Sequence, residues 1–197
     1  MKYLFILLPL LAACQQGATP SANYKLPTFS EDGVYAVVEI PAGTTLKTEY
    51  NPSSKRFEPD TLDGKVRRIN FLPYLGNYGF IPSTKMDKAR GGDGDALDVL
   101  VLSESVTLGT VMQILPIAAL LLLDDGEIDT KIIAVPIDTT KRILQVDDFQ
   151  DLFIHYDVAK RLIEEWFLNY KGANRTTLIG WQDEVYAIEE IKKWSVK

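Results

Sequence analysis

Hydrophobic positions in this chain fall mostly into short runs, either alternating with polar residues or unbroken, and take helical spacing only late. Val34 to Ile40 reads as a strand and closes on the turn signal Pro41-Ala42-Gly43. Leu46 to Tyr50 alternates and is followed by the polar turn Asn51-Pro52-Ser53-Ser54. Val66 to Phe71, Tyr78 to Ile81, Leu97 to Leu102, Val111 to Leu123 and Lys131 to Val135 are further strand candidates. The run from Val111 to Leu123 contains Gln113 and Pro116 and is too short for a membrane span; it predicts a buried strand, bent or interrupted near Pro116. Strands this frequent, separated by turn residues, predict a closed barrel rather than alternating strand–helix units. Between Tyr156 and Lys171, the positions Ala159, Leu162, Ile163, Trp166, Phe167 and Tyr170 recur at three and four, which predicts an amphipathic helix that Gly172 ends. A second helix is expected from Asp183 to Trp194, with Val185, Ile188, Ile191 and Trp194 as its apolar stripe. The expected fold class is mainly β, with two helices from the C-terminal half packed on the barrel.

The N-terminus has the pattern of a processing signal. Lys2 supplies a positive charge, Tyr3 to Leu11 a short apolar stretch, and Leu11-Ala12-Ala13-Cys14 resembles a bacterial lipobox. Residues 1–13 are therefore expected to be removed and Cys14 to carry acyl chains. Several acyl chains anchor stably where one is marginal. Cys14 is the only cysteine, so no intramolecular disulfide can form. Gln15 to Tyr24 are polar and turn-rich, and we expect the lipidated cysteine and a flexible tether over residues 14–32. A single domain is expected over residues 33–197. The implied location is a bacterial membrane surface outside the cytoplasm, on a periplasmic or cell-surface face.

Composition narrows the partners. Of the 197 residues, 46% are apolar and 24% charged, as in an ordinary globular domain. A net charge of −6 disfavours nucleic acid, because no basic stripe is available for phosphates. An anionic small substrate is still allowed, since bound metal ions can invert the local field. The single histidine, His155, lies in a helical pattern, which argues against a histidine triad or a zinc site. A homo-oligomer is compatible with the sequence, which does not itself fix the oligomeric state.

The chemistry concentrates in Gly91-Gly92-Asp93-Gly94-Asp95-Ala96-Leu97-Asp98-Val99-Leu100. Asp98 sits inside an apolar run, where an isolated carboxylate is too costly to keep, so a cation must meet it. Asp93 and Asp95 lie just upstream, and Gly94 frees the backbone to bring all three carboxylates to one point. Clustered hard oxygen ligands suit Mg²⁺, or Mn²⁺, better than zinc. A calcium-binding helix–loop–helix is disfavoured, because its fifth and sixth loop positions would fall on Leu97 and Asp98.

The segment Asp-Gly-Asp-Ala-Leu-Asp resembles the signature of the soluble, family I inorganic pyrophosphatases, and further segments match in family order. Val38-Glu39-Ile40-Pro41 is similar to the family's opening strand. Lys47-Thr48-Glu49 keeps its Lys-x-Glu spacing. Arg67-Arg68 leads into Gly76-Asn77-Tyr78-Gly79-Phe80, a strong marker, and Asp124, Asp129 and Lys131 fall in the family's aspartate–aspartate–lysine pattern. Tyr170-Lys171 closes the late helix as the family's Tyr-Lys pair does. The resemblance implies a five-stranded OB-like barrel and assigns metal ions to Asp93, Asp98, Asp129, Asp124 and Glu39. It places pyrophosphate on Lys47, Arg67, Lys131, Tyr170 and Lys171, with Tyr78 bordering the site, Glu49 beside Lys47, and Asp95 as general base. Alternation lets only one of Arg67 and Arg68 face inward, and Arg67 is preferred; the role of Arg175 is left open. Met86 to Gly92 looks like an inserted loop, and the lipoprotein signal is the larger departure from a mostly cytoplasmic family.

The implied activity is Mg²⁺-dependent hydrolysis of pyrophosphate to two phosphates by metal-activated water, with no covalent intermediate. Two alternatives are a catalytically inactive metal- or phosphate-binding surface lipoprotein, and a hydrolase of another phosphoanhydride.

Overall fold

The structure, a computed structural model, describes residues 24–172 and 175–196. The expected signal segment and the lipidation site Cys14 lie outside the described residues. Strands β1 (Val34–Ile40), β2 (Thr48–Asn51), β3 (Arg56–Pro59), β4 (Thr61–Leu62), β5 (Lys65–Val66), β6 (Asn77–Phe80), β7 (Asp98–Val101), β8 (Val111–Asp124) and β9 (Glu127–Pro136) precede two helices, α1 (Phe149–His155) and α2 (Asp157–Asn169). Strand β10 (Thr176–Asp183) and helix α3 (Glu184–Trp194) complete the chain.

The main sheet runs β1-β6-β7-β9-β8-β10, and β1 also pairs with β8, so β1, β6, β7, β9 and β8 close on themselves as a five-stranded barrel. All neighbours are antiparallel except β7 and β9, which run parallel. Closure leaves β10 alone on the outside edge of β8. The long strand β8 breaks register between Pro116 and Ala118, the irregularity expected where proline cannot donate to the ladder.

Alternation along the strands sorts the apolar residues into two buried layers. One contains Tyr78, Leu100, Leu120, Leu122, Ile133 and Val135 and is covered by α2 through Ile163, Trp166 and Phe167. The other contains Val34, Ala36, Val99, Val101, Ile132 and Ala134 and is covered by α3 through Ala187, Ile191 and Trp194. The Asn-Tyr-Gly-Phe segment forms β6 for two physical reasons. A Cβ on Gly79 would lie 1.9 Å from the Val37 carbonyl oxygen, so β1 and β6 approach this closely only over glycine. Asn77 is fully buried; its Oδ1 accepts from the N–H groups of Ala42 and Val106 at 3.1 and 3.0 Å. Its Nδ2 donates to Ser103 Oγ and the Glu104 carbonyl at 2.9 and 2.8 Å, so one side chain pins two loops to the start of the strand.

The structure corrects several expectations. The described residues form three α-helices rather than two, because Asp148 caps a separate short helix, α1, accepting from Asp151 N–H at 2.7 Å. His155 ends this helix and is exposed. The strand expected over Val66 to Phe71 reduces to the short β4–β5 hairpin and one bridge between Leu46 and Arg68. Its backbone is satisfied irregularly instead, with Arg67 N–H donating to Asp60 O at 2.8 Å and Ile69 N–H to Thr45 O at 2.8 Å. Residues 24–32, expected as tether, are docked from Tyr24 onward. The Tyr24 hydroxyl donates to Gly109 O at 3.0 Å, Thr28 Oγ1 to Pro82 O at 3.0 Å and Ser83 Oγ to Leu26 O at 2.6 Å. No helix among the described residues is long and apolar enough to cross a membrane.

Candidate active site

One layer of the barrel ends in charge instead of in apolar side chains. Asp98 opens β7 opposite Phe80 of β6 and opposite Lys131 of β9. Period-two alternation sets Asp98 above Leu100, and Lys131 above Ile133, on the layer that also holds Tyr78. Here the strands give way to a cleft of about 680 Å³. Every site residue expected from the folded sequence lines it: Glu39, Lys47, Glu49, Arg67, Tyr78, Asp93, Asp95, Asp98, Asp124, Asp129, Lys131, Tyr170 and Lys171. Of the two candidate arginines, Arg67 lines the cleft, while Arg68 is exposed beyond it.

Lys131 is the centre of the charge arrangement. Only 4% of its surface is exposed, a burial that would expel an unpaired ammonium. It pairs with Asp98 and, at 2.6 Å, with Asp129, and lies 5.7 Å from the centre of the Tyr78 ring. Burial opposes its charge, but Asp98, Tyr78 and Asp129 together outweigh burial and hold its pKa well above the ordinary lysine range. Burial raises the carboxyl of Asp129 although Lys131 pulls it down. Burial also raises Asp93, and pushes Glu39 up to about 8 in spite of the hydrogen bond it accepts from Tyr50 N–H at 2.6 Å.

The remaining cations are held in the same way. Lys171 pairs with Asp124, whose other oxygen accepts from Thr176 Oγ1 at 3.1 Å. Tyr170 caps the end of α2 and stacks on Trp166 at 4.8 Å, and the Trp166 indole N–H is anchored to Leu72 O at 2.9 Å. Lys47 pairs with Glu49 and, at 3.3 Å, with Asp60; Arg67 meets the same Asp60 at 3.1 Å. Partial burial works against the Asp60 charge, but Lys47 and Arg67 win and keep its carboxyl below the usual range.

The three aspartates of the signature line the same cleft in different settings. Gly94 takes φ +97°, and the turn it allows lets Asp93 accept from Asp95 N–H at 2.9 Å. Asp95 is exposed in the cleft, and Asp98 is engaged by Lys131. Among the described residues no three acidic, histidine or cysteine side chains are close enough to cage a metal ion. The lysines take up the carboxylates instead, with Lys131 between Asp98 and Asp129 and Lys171 on Asp124. Sequence reasoning missed Asp60, the shared partner that orients Lys47 and Arg67. Its only sequence signal is that two cations in one cleft call for an anion behind them. It also missed Lys85, a further cation lining the cleft. Arg175, whose role was open, forms an exposed pair with Asp125 at 2.8 Å.

The family model described as inorganic pyrophosphatase matches residues 36–197. The chain is 38% identical to the inorganic pyrophosphatase of Halobacterium salinarum over 82% of this chain and 85% of that protein. It is 33% identical to soluble inorganic pyrophosphatase 6, chloroplastic, of Arabidopsis thaliana; 79% of this chain is aligned, spanning only 55% of that longer protein. The crystal structure of the Thermus thermophilus inorganic pyrophosphatase superposes with a TM-score of 0.73 at 31% identity, covering 87% of this chain and 95% of that one. With the barrel, the cleft and a match over most of its length, the chain belongs to the inorganic pyrophosphatase family.

Proposed function

We propose that this protein hydrolyses inorganic pyrophosphate to two phosphates by in-line attack of water, with no covalent intermediate. The observation that supports this best is the cleft in which Lys47, Arg67, Lys131, Lys171 and Tyr170 face a band of carboxylates from five strands and a loop. Pyrophosphate is densely charged, so binding requires cations arranged around it, and the arginine can fork onto two phosphate oxygens. Tyr170, stacked on Trp166, presents a rigid hydroxyl beside Lys171. Both sit at the end of α2, where they would receive the departing phosphate. Asp95, exposed in the cleft, would take a proton from the attacking water.

The donors fit a hard divalent ion. Asp93, Asp98, Asp124, Asp129 and Glu39 offer oxygen only, and two of them, Asp98 and Asp129, already share a cation in Lys131. These residues would hold Mg²⁺, or Mn²⁺ in its place. When bound, the metal neutralises phosphate charge and makes water a better nucleophile. A phosphate-release assay on purified protein, run over pyrophosphate, tripolyphosphate and ATP, tests the reading. Preference for ATP or tripolyphosphate would favour another phosphoanhydride hydrolase.

We further propose that Cys14 is lipidated after removal of residues 1–13, leaving the enzyme on a membrane surface outside the cytoplasm. The lipobox-like Leu11-Ala12-Ala13-Cys14 supports this. Cys14→Ser should move the protein into the soluble fraction or stall its processing, and unchanged membrane association would contradict the anchor.

A further inference from the structure

We propose that Tyr24 is a positioning residue for the cleft, holding Glu39 in place from behind through Tyr50 and Gly109. This rests on the pyrophosphatase reading above. Glu39 stands where β1 loses register with β6, between Val38 and Ile40. The regular ladder therefore does not fix its direction, and two other contacts do. The Glu39 carboxylate accepts from Tyr50 N–H at 2.6 Å. On the other side, Gly109 N–H donates to the carbonyl of the preceding residue, Val38, at 2.8 Å, and Val38 N–H donates to Thr110 O at 3.0 Å.

Tyr24 joins these two supports. Its ring meets Tyr50 edge-on with centroids 5.0 Å apart and contacts Phe57 at 5.5 Å, while its hydroxyl donates to Gly109 O at 3.0 Å. Tyr50 in turn stacks on Phe80 at 5.9 Å, and both line the cleft. The segment carrying Tyr24 is itself fixed: Tyr35 N–H donates to Thr28 O at 3.0 Å, and Thr28 Oγ1 to Pro82 O at 3.0 Å. Tyr24 thus closes an aromatic wedge with Tyr50 and Phe57 behind the cleft wall. Removing it would free β2 to move away from Glu39 without deleting any residue that lines the cleft.

The test uses Tyr24→Ala, Tyr24→Leu and Tyr24→Phe in the full chain. In metal-free protein, hydrogen exchange at the Tyr50 amide should quicken in the alanine and leucine variants, while phenylalanine, which keeps the ring contacts, preserves protection. In the assay, Tyr24→Ala should raise the Mg²⁺ needed for half-maximal rate on the order of 2- to 10-fold, the scale of one lost aromatic pair. The KM for pyrophosphate at saturating Mg²⁺ should stay unchanged. Because the effect runs through Glu39, it should vanish in a Glu39→Ala background. Unchanged Tyr50 protection in both the alanine and leucine variants, or full additivity with Glu39→Ala, would overturn the proposal. A wild-type protein inactive on pyrophosphate would instead overturn the functional reading, and the exchange measurement would still decide the role of Tyr24.

Discussion

A lysine as buried as Lys131 persists as a cation only because Asp98 and Asp129 share it, and this pairing defines what substitutions here should do. Asp98→Asn leaves Asp129 as the carboxylate facing Lys131. The expected cost in stability is about 1–3 kcal/mol, below that of a fully buried pair because 28% of the Asp98 side chain is exposed. It should also raise the Mg²⁺ required for any residual activity, read by calorimetry and by rate against Mg²⁺. Among the described residues Asp95 forms no ion pair, and it sits exposed, so Asp95→Asn should keep its stability and its metal affinity. Its loss should fall on kcat, on the order of 10²–10⁴-fold for a missing general base. An Asp95→Asn enzyme with weakened metal binding and a normal residual kcat would make Asp95 a ligand instead. Asp60 carries a pH dependence of known sign. Its folded pKa lies below its unfolded value, so the stability it supplies is present above the unfolded pKa, near 4, and fades as pH falls through the folded one. Denaturant titrations should show Asp60→Asn less stable than wild type at neutral pH, with the gap closing in acid. A gap that persists unchanged in acid would show that Asp60 acts through packing and not through charge.

Strand pairing explains which parts of the molecule could be read in advance. Gly79 is the clearest test of that pairing, since a Cβ there would meet the Val37 carbonyl oxygen at 1.9 Å. Gly79→Ala should cost about 1–3 kcal/mol or more, measured by chemical denaturation, because β1 must move away from β6. A near-neutral effect would mean the two strands are not held as described. The strands β1, β6, β7, β8 and β9 were legible because each is buried on at least one face and carries a continuous apolar signal. Asp98 was legible for the same reason, since it interrupts such a run and a buried charge announces a partner, whereas Lys131 was placed only by the family resemblance. Strand β10 was not, because it lies half exposed on the edge of β8 and its pattern reflects one covered face. The segment from Val66 to Phe71 misled in the opposite direction. Its apolar residues Val66 and Phe71 are exposed, and only Ile69 is buried, so hydrophobicity there did not mean pairing. The ion pairs inside the cleft were not legible either, since spacing fixes where Asp98, Asp129 and Asp124 start but not which lysine each one meets.

On the scale of the whole molecule, a chain with net charge −6 concentrates carboxylates at one mouth of its barrel and sets its few inward cations among them. Such a cleft repels a free anion until divalent cations enter, so binding of substrate should depend on metal throughout. The direct measurement is phosphate release by the purified protein from pyrophosphate, with Mg²⁺ present and with Mg²⁺ removed by chelator. The account predicts rapid release with Mg²⁺, its loss on chelation, recovery when Mg²⁺ or Mn²⁺ is restored, and much slower release from ATP and tripolyphosphate. No release from pyrophosphate at saturating Mg²⁺ or Mn²⁺, or the same rate with the metal removed, would contradict it.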